Sequence, residues 1–99
     1  MKMPMTVIVT RDVEARYRGF LASVLLEVAP GVYVSPDLSA GVRERVWNVV
    51  RDWYEALGRG AIAMIWRDSS CAGGLALRYL GDPPKEICDV EGILLVRKL

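Results

Sequence analysis

There is no histidine in this sequence, and there are only two cysteines, Cys71 and Cys88. The first absence removes imidazole general-base chemistry and the usual zinc-centred hydrolysis. Two thiols make neither a disulfide scaffold nor a metal-ligand cluster, and without a CxxC partner Cys88 reads as an inert packing residue. An excess of one charge is missing too, since 13 basic and 12 acidic residues leave a formal net charge of +1. That excludes a basic-tail nucleic-acid binder but leaves open a local patch formed by folding. No apolar run is long enough to span a bilayer and no leader pattern is present, so a cytoplasmic location without a membrane partner is expected. Glycine-rich phosphate loops, Ser/His/Asp triads and cofactor fingerprints are absent, as are repeats and low-complexity stretches.

What is present fits a single domain over residues 1–99. The hydrophobic fraction of 53% implies a generous core or an apolar surface that a partner covers. Ten of the 13 basic residues are arginine, the type suited to bidentate phosphate contacts. The chain is organised around Thr10 to Gly19, where a first strand, Met5 to Val9, runs out into a first helix. β-Branched residues favour that strand. Val13, Tyr17, Phe20/Leu21, Val24 and Val28 then recur at helical spacing, which predicts a helix over about 14–27, stopped by Pro30-Gly31.

Val32 to Val34 is a very short strand, alone or in a small bent hairpin. Ser39 caps a second helix whose core face is Val42, Val46, Val49/Val50, Trp53 and Leu57, with Gly58 as its C-cap. Arg43, Trp47, Arg51 and Tyr54 form a flank of that stripe, either a partner-binding edge or the edge of the core. Ala61 to Arg67 is a strand apolar on both faces. Asp68 to Gly74 is a turn, and Leu75 to Leu80 is the antiparallel partner. Gly81-Asp82-Pro83-Pro84 breaks the pattern, a loop over Lys85 to Glu91 follows, and Ile93 to Arg97 is the last strand. The fold class is thus α/β (α+β), with two helices covering one sheet face. Apolar residues remain for the other face, and a sheet-face homodimer is the simplest way to bury them.

The corner offers two kinds of chemistry. Asp12 and Glu14 are the candidate carboxylates for a hard cation, Mg2+ or Mn2+, in phosphodiester cleavage, and a twofold axis would bring a second Asp12. Asp12 is equally an N-cap for the first helix. Arg16 and Arg18, two apart on a helix, splay to opposite flanks, a spread that suits a duplex backbone as well as plain solvation beside Glu14. Arg78, Arg97 and Lys98 would extend the strip.

Val9-Thr10, Val13 and Arg16-Tyr17-Arg18-Gly19, followed by Leu25-Leu26-Glu27-Val28 and Pro30-Gly31-Val32-Tyr33-Val34, resemble the small CRISPR-associated protein 2 of the subtype I-E systems. The likeness continues through Ser39, Arg43-Glu44-Arg45-Val46-Trp47 and Ala63-Met64-Ile65-Trp66. The resemblance implies a ferredoxin-like sandwich on an antiparallel sheet, dimerised through that sheet. It also implies a C-terminal extension, residues 81–99, that reaches a partner subunit. For the wider family it implies metal-dependent endonuclease activity on single-stranded RNA or double-stranded DNA, using an aspartate at the end of the first strand. That position is Arg11 here, and Asp12 is the acidic neighbour. For the I-E branch it implies a non-catalytic dimer at the centre of the spacer-acquisition complex. Such a dimer needs no cofactor, holds a short double-stranded protospacer DNA and bridges dimers of the integrase subunit. Arg16 and Arg18, with Arg11 and Arg78, become the expected nucleic-acid contacts, and Ile93, Leu94, Leu95 and Val96 the partner contacts. The stretch from Gly81 to Gly92 looks ill suited to a tight hairpin, so an intermolecular pairing of those four residues is expected.

Overall fold

Strand β1 covers Thr6–Arg11 and alternates in burial along its length, with Thr6 and Ile8 enclosed and Val7 and Val9 on the opposite face. That alternation is the period of two expected of a strand covered on one side. A computed structural model describes residues 4–81 and 86–97. Its elements after β1 are α1 (Ala15–Val24), β2 (Leu26–Ala29), β3 (Val32–Ser35) and α2 (Ala40–Leu57). Strands β4 (Ala61–Arg67), β5 (Leu75–Leu80), β6 (Glu86–Val90) and β7 (Ile93–Arg97) complete the chain. The first five strands form one sheet in the order β2-β3-β1-β4-β5, every pairing antiparallel. Two helices on one face of such a sheet give a ferredoxin-like topology with β5 added at one edge.

Register fixes which residues meet the helices. Ile8 pairs with Tyr33 on one side and Met64 on the other, and all three are buried. Tyr17 and Leu21 of α1 and Val46, Trp47 and Val50 of α2 close over them. Trp53 joins the helices, its ring meeting Tyr17 edge-on at 5.4 Å and Phe20 at 5.5 Å. Ser39 is the N-cap of α2, its Oγ accepting from the Val42 amide at 3.2 Å, and Gly58 is the C-cap, both as the sequence suggests. Of the flank, Arg43 and Trp47 prove to be core, the buried Arg43 guanidinium lying 4.2 Å from the Trp66 ring centroid, while Tyr54 is half-buried and Arg51 exposed.

Four expectations need correction. The first helix stops at Val24, not near residue 27, and Leu26–Ala29 is a strand. The Val24/Val28 spacing fits a helix, but Pro30-Gly31 is a hairpin turn whose far arm, β3, offers this backbone a ladder. Asp12 is not the helix cap; Glu14 holds that position, without a side-chain cap bond. Strand β1 runs to Arg11, two residues past Val9, because β4 pairs with it to Ala61. The stretch read as a loop over 85–91 contains β6, which pairs with β7 from Glu86↔Arg97 to Val90↔Ile93. Glu91 and Gly92 form its two-residue turn at φ 53° and 82°, and the Gly92 amide donates to Asp89 Oδ1 at 2.9 Å. That is the primed-turn geometry of a tight hairpin. It answers the doubt about such a hairpin, and whether β7 also pairs with another chain is a separate matter. No helix among the described residues is long and apolar enough to cross a membrane.

Candidate nucleic-acid interface

The corner between β1 and α1 is built by two loops that press on the end of the strand. After Arg11 the chain turns at Asp12 with φ 58°, a left-handed conformation that costs a side-chain-bearing residue roughly 1–2 kcal/mol. On the β3 side, the Thr10 amide and hydroxyl both donate to the Gly31 carbonyl, at 2.7 and 3.1 Å. A Cβ on Gly31 would stand 2.7 Å from the Thr10 carbonyl oxygen, so only glycine fits that approach. On the β4 side Gly60, at φ 80°, lies so close that a Cβ would meet the carbonyl oxygens of Arg11 and Asp12. The Tyr54 hydroxyl donates to the Gly60 carbonyl at 3.2 Å, which ties this loop to α2. Arg59 Nε donates to the Asp12 carbonyl, also at 3.2 Å.

Around this clamp stand the arginines. Arg11 is exposed at the end of β1, opposite Ala61. Arg16 and Arg18 splay as their spacing requires. The Arg16 guanidinium lies 5.2 Å from the Trp53 ring centroid and 5.9 Å from that of Tyr17. Arg18 instead borders the turn at Ala29–Gly31. Among the described residues none of Arg11, Arg16, Arg18 and Arg59 is in an ion pair. Arg78, by contrast, reaches Glu44 at 2.9 Å and lies 5.2 Å from the Trp66 ring centroid. Its register partner is Met64, three residues along β4 from the partner of Arg11, about 10 Å away along the strand. Arg11 thus stands at the end of β1, Arg16 and Arg18 lie on different sides of α1, and Arg78 is further along the sheet, engaged with a carboxylate. The Arg97 side chain and Lys98 lie outside the described residues.

Tyr33 sits beneath the corner, fully buried, and its hydroxyl has no hydrogen-bond partner among the described residues. Burial pushes its phenol upward, and the nearby Glu27 charge adds to this while Arg18 opposes it. Glu27 itself accepts from the Gly31 amide at 3.1 Å. Tyr17, also enclosed, is raised mainly by burial, with Arg16 pulling the other way.

Among the described residues no three His, Cys, Asp or Glu side chains converge. Asp12 is exposed, and it is its backbone carbonyl, not its carboxylate, that accepts from Arg59. A lone carboxylate is a sparse ligand set for a divalent cation, which takes roughly six or more oxygen ligands. Arg59 carried no signal in the sequence, because its relevance comes from a loop 47 residues away from Asp12.

Of the predicted partner contacts, Ile93, Leu95 and Val96 are 63%, 50% and 58% exposed. Leu94 instead lodges against Gly73, in the 3-10 turn Ala72–Gly74 between β4 and β5. The β6–β7 pair forms a two-stranded sheet of its own among the described residues. Compared with known protein families, the chain matches the model described as CRISPR-associated protein (Cas_Cas2CT1978) over residues 5–95.

Proposed function

Because the chain belongs to the CRISPR-associated family Cas_Cas2CT1978, we propose that it is the non-catalytic central dimer of a spacer-acquisition complex. In this reading it holds the backbone of a short protospacer duplex and bridges dimers of the integrase subunit. The observation that carries the reading is that the three arginines of the β1–α1 junction, Arg11, Arg16 and Arg18, are all exposed and without ion-pair partners among the described residues. Guanidinium groups spread over a surface contact phosphates without reading bases. The exposed apolar side of β7 supports its role as the integrase-facing element, since an uncovered apolar edge otherwise invites aggregation.

Replacing Arg16 and Arg18 together by alanine should weaken binding to all duplex sequences alike. It should also reduce the slope of log K against log salt by about 0.9 for each phosphate that is no longer neutralised. Fluorescence anisotropy with two unrelated duplexes measures both, in the presence of the integrase subunit. Binding that is unchanged, or weakened for one sequence only, rejects the assignment.

A second reading, a Mg2+- or Mn2+-dependent endonuclease, draws on Asp12, held exposed in a left-handed conformation of the kind that marks functional turns. Arg11 beside it in sequence and Arg59 on its backbone carbonyl do not favour a cation. Cleavage assays of wild type and Asp12→Asn with each metal test this reading; undiminished cleavage by the variant removes Asp12 from any site.

A further inference from the structure

Between the two glycine loops that clamp the end of β1 lies an opening of about 390 Å³, bordered by Thr10, Asp12, Arg18, Gly31 and Arg59. At about 30 Å³ per water, it has room for a phosphate group together with its hydration. Two of the residues that border it are arginines from elements far apart in the sequence. Arg18 comes from α1, and Arg59 from the loop between α2 and β4. Arg59 is fixed by its Nε bond to the Asp12 carbonyl, which leaves its two terminal nitrogens for another acceptor. The loop carrying it is held in turn by Tyr54 and by the close approach of Gly60 to Arg11 and Asp12. A side chain anchored at Nε loses less freedom when its terminal nitrogens bind, and so suits a fixed contact better than a free surface arginine.

We propose that Arg59 and Arg18 together grip one phosphodiester of a nucleic-acid backbone at this opening, with Arg59 an unassigned member of the interface. The inference rests on the nucleic-acid reading above and extends it to a specific two-arginine seat. Asp12, on the rim, acts against it: its carboxylate repels the phosphate and limits the affinity of the seat.

The test is anisotropy with a labelled short duplex over a salt series, comparing wild type with Arg18→Ala, Arg59→Ala, Arg59→Gln, Arg59→Lys and Asp12→Asn. Glutamine keeps an N–H donor for the Asp12 carbonyl but no charge, whereas lysine keeps the charge. Arg59→Ala and Arg59→Gln should both weaken binding and lower the salt slope by about 0.9 per chain engaged. Arg59→Lys should restore most of the slope, and Asp12→Asn should tighten binding. A merely structural Arg59 would instead let the glutamine variant behave as wild type. That outcome, or an unchanged slope in both uncharged variants while Arg18→Ala lowers it, overturns the two-arginine seat and leaves the broader reading standing. Absence of salt-dependent duplex binding by the wild-type protein, with the integrase subunit present, overturns both. Inorganic phosphate at matched ionic strength should fail to displace the duplex, and displacement would assign the opening to a free anion instead.

Discussion

Single residues in this protein carry their constraints through burial more than through pairing. Tyr17 and Tyr33 are the largest fully enclosed side chains, and neither hydroxyl has a hydrogen-bond partner among the described residues. Burial raises both phenols above their ordinary value of 10.0, so the folded state prefers the neutral form. The unfolded chain releases these protons at ordinary tyrosine pKa, around 10. Between that value and the raised folded value the unfolded state binds fewer protons, and stability falls as pH rises. The tyrosine contribution is therefore complete below the unfolded value and is lost progressively above it. Urea unfolding should show a midpoint insensitive to these groups up to about pH 9 and a decline above pH 10. Tyr17→Phe and Tyr33→Phe should each flatten the decline, and an unaltered slope in both would contradict their burial.

At the scale of elements, the loops matter as much as the helices and strands they join. The α2–β4 loop fits the end of β1 only because residue 60 has no side chain. Gly60→Ala should destabilise the fold by about 1–3 kcal/mol, from the left-handed backbone and the clash with the Arg11 and Asp12 carbonyls. Gly19, within α1, meets nothing within 4 Å of an added Cβ. Gly19→Ala should therefore stabilise by roughly 0.5–1 kcal/mol through helix propensity. Paired denaturant titrations read the two opposite signs, and equal effects would mean that the close approach at Gly60 is not a constraint. The same reasoning bears on the β6–β7 hairpin, which meets the 3-10 turn through Leu94 lodged over Gly73. Any larger residue at 73 would push Leu94 off that turn.

For the whole molecule, the sheet face away from the helices decides the expected assembly. Val7, Val34, Ile65 and Leu77 are only half-buried there, and Val9, Leu75 and Tyr79 are 39%, 42% and 39% exposed. Cross-strand pairs Val7↔Val34, Val7↔Ile65 and Ile65↔Leu77 join them into one apolar band. Burying such a band gains roughly 25 cal/mol per Å² of apolar area. A second copy of the chain presents the same band, and an isologous contact needs no other partner. Sedimentation at micromolar concentration should show a dimer, and Ile65→Lys with Leu77→Lys should yield a folded monomer. A wild-type monomer, or a dimer that survives both lysines, would place the contact elsewhere.

Much of this was already legible along the chain. The apolar run of Ala61 to Arg67, the Ser39 cap, the Gly58 stop and the Val42-to-Trp53 stripe are local patterns, and each named its element from residues close together in the chain. The Arg16/Arg18 splay was equally local, since two residues on a helix diverge wherever the helix packs. The end of α1 was not, because Leu25 to Val28 satisfies a helical period and a strand equally well. Only the hairpin partner across Pro30-Gly31 chose between them. The β6 strand was hidden for a related reason: its charged, proline-flanked composition suggests a loop, and β7 supplies the ladder that makes it a strand. Burial of Arg43 depended on where Trp66 would lie. The membership of the arginine corner was likewise a tertiary decision. Sequence spacing places Arg11, Arg16 and Arg18 near one another, but Arg59 joins them only when the α2–β4 loop folds back onto Asp12. Arg78, alike in type, is held apart by register and by Glu44. Local periodicity determines elements because it acts within a few residues, whereas a site assembled across 47 residues is decided by the loops that bring its parts together.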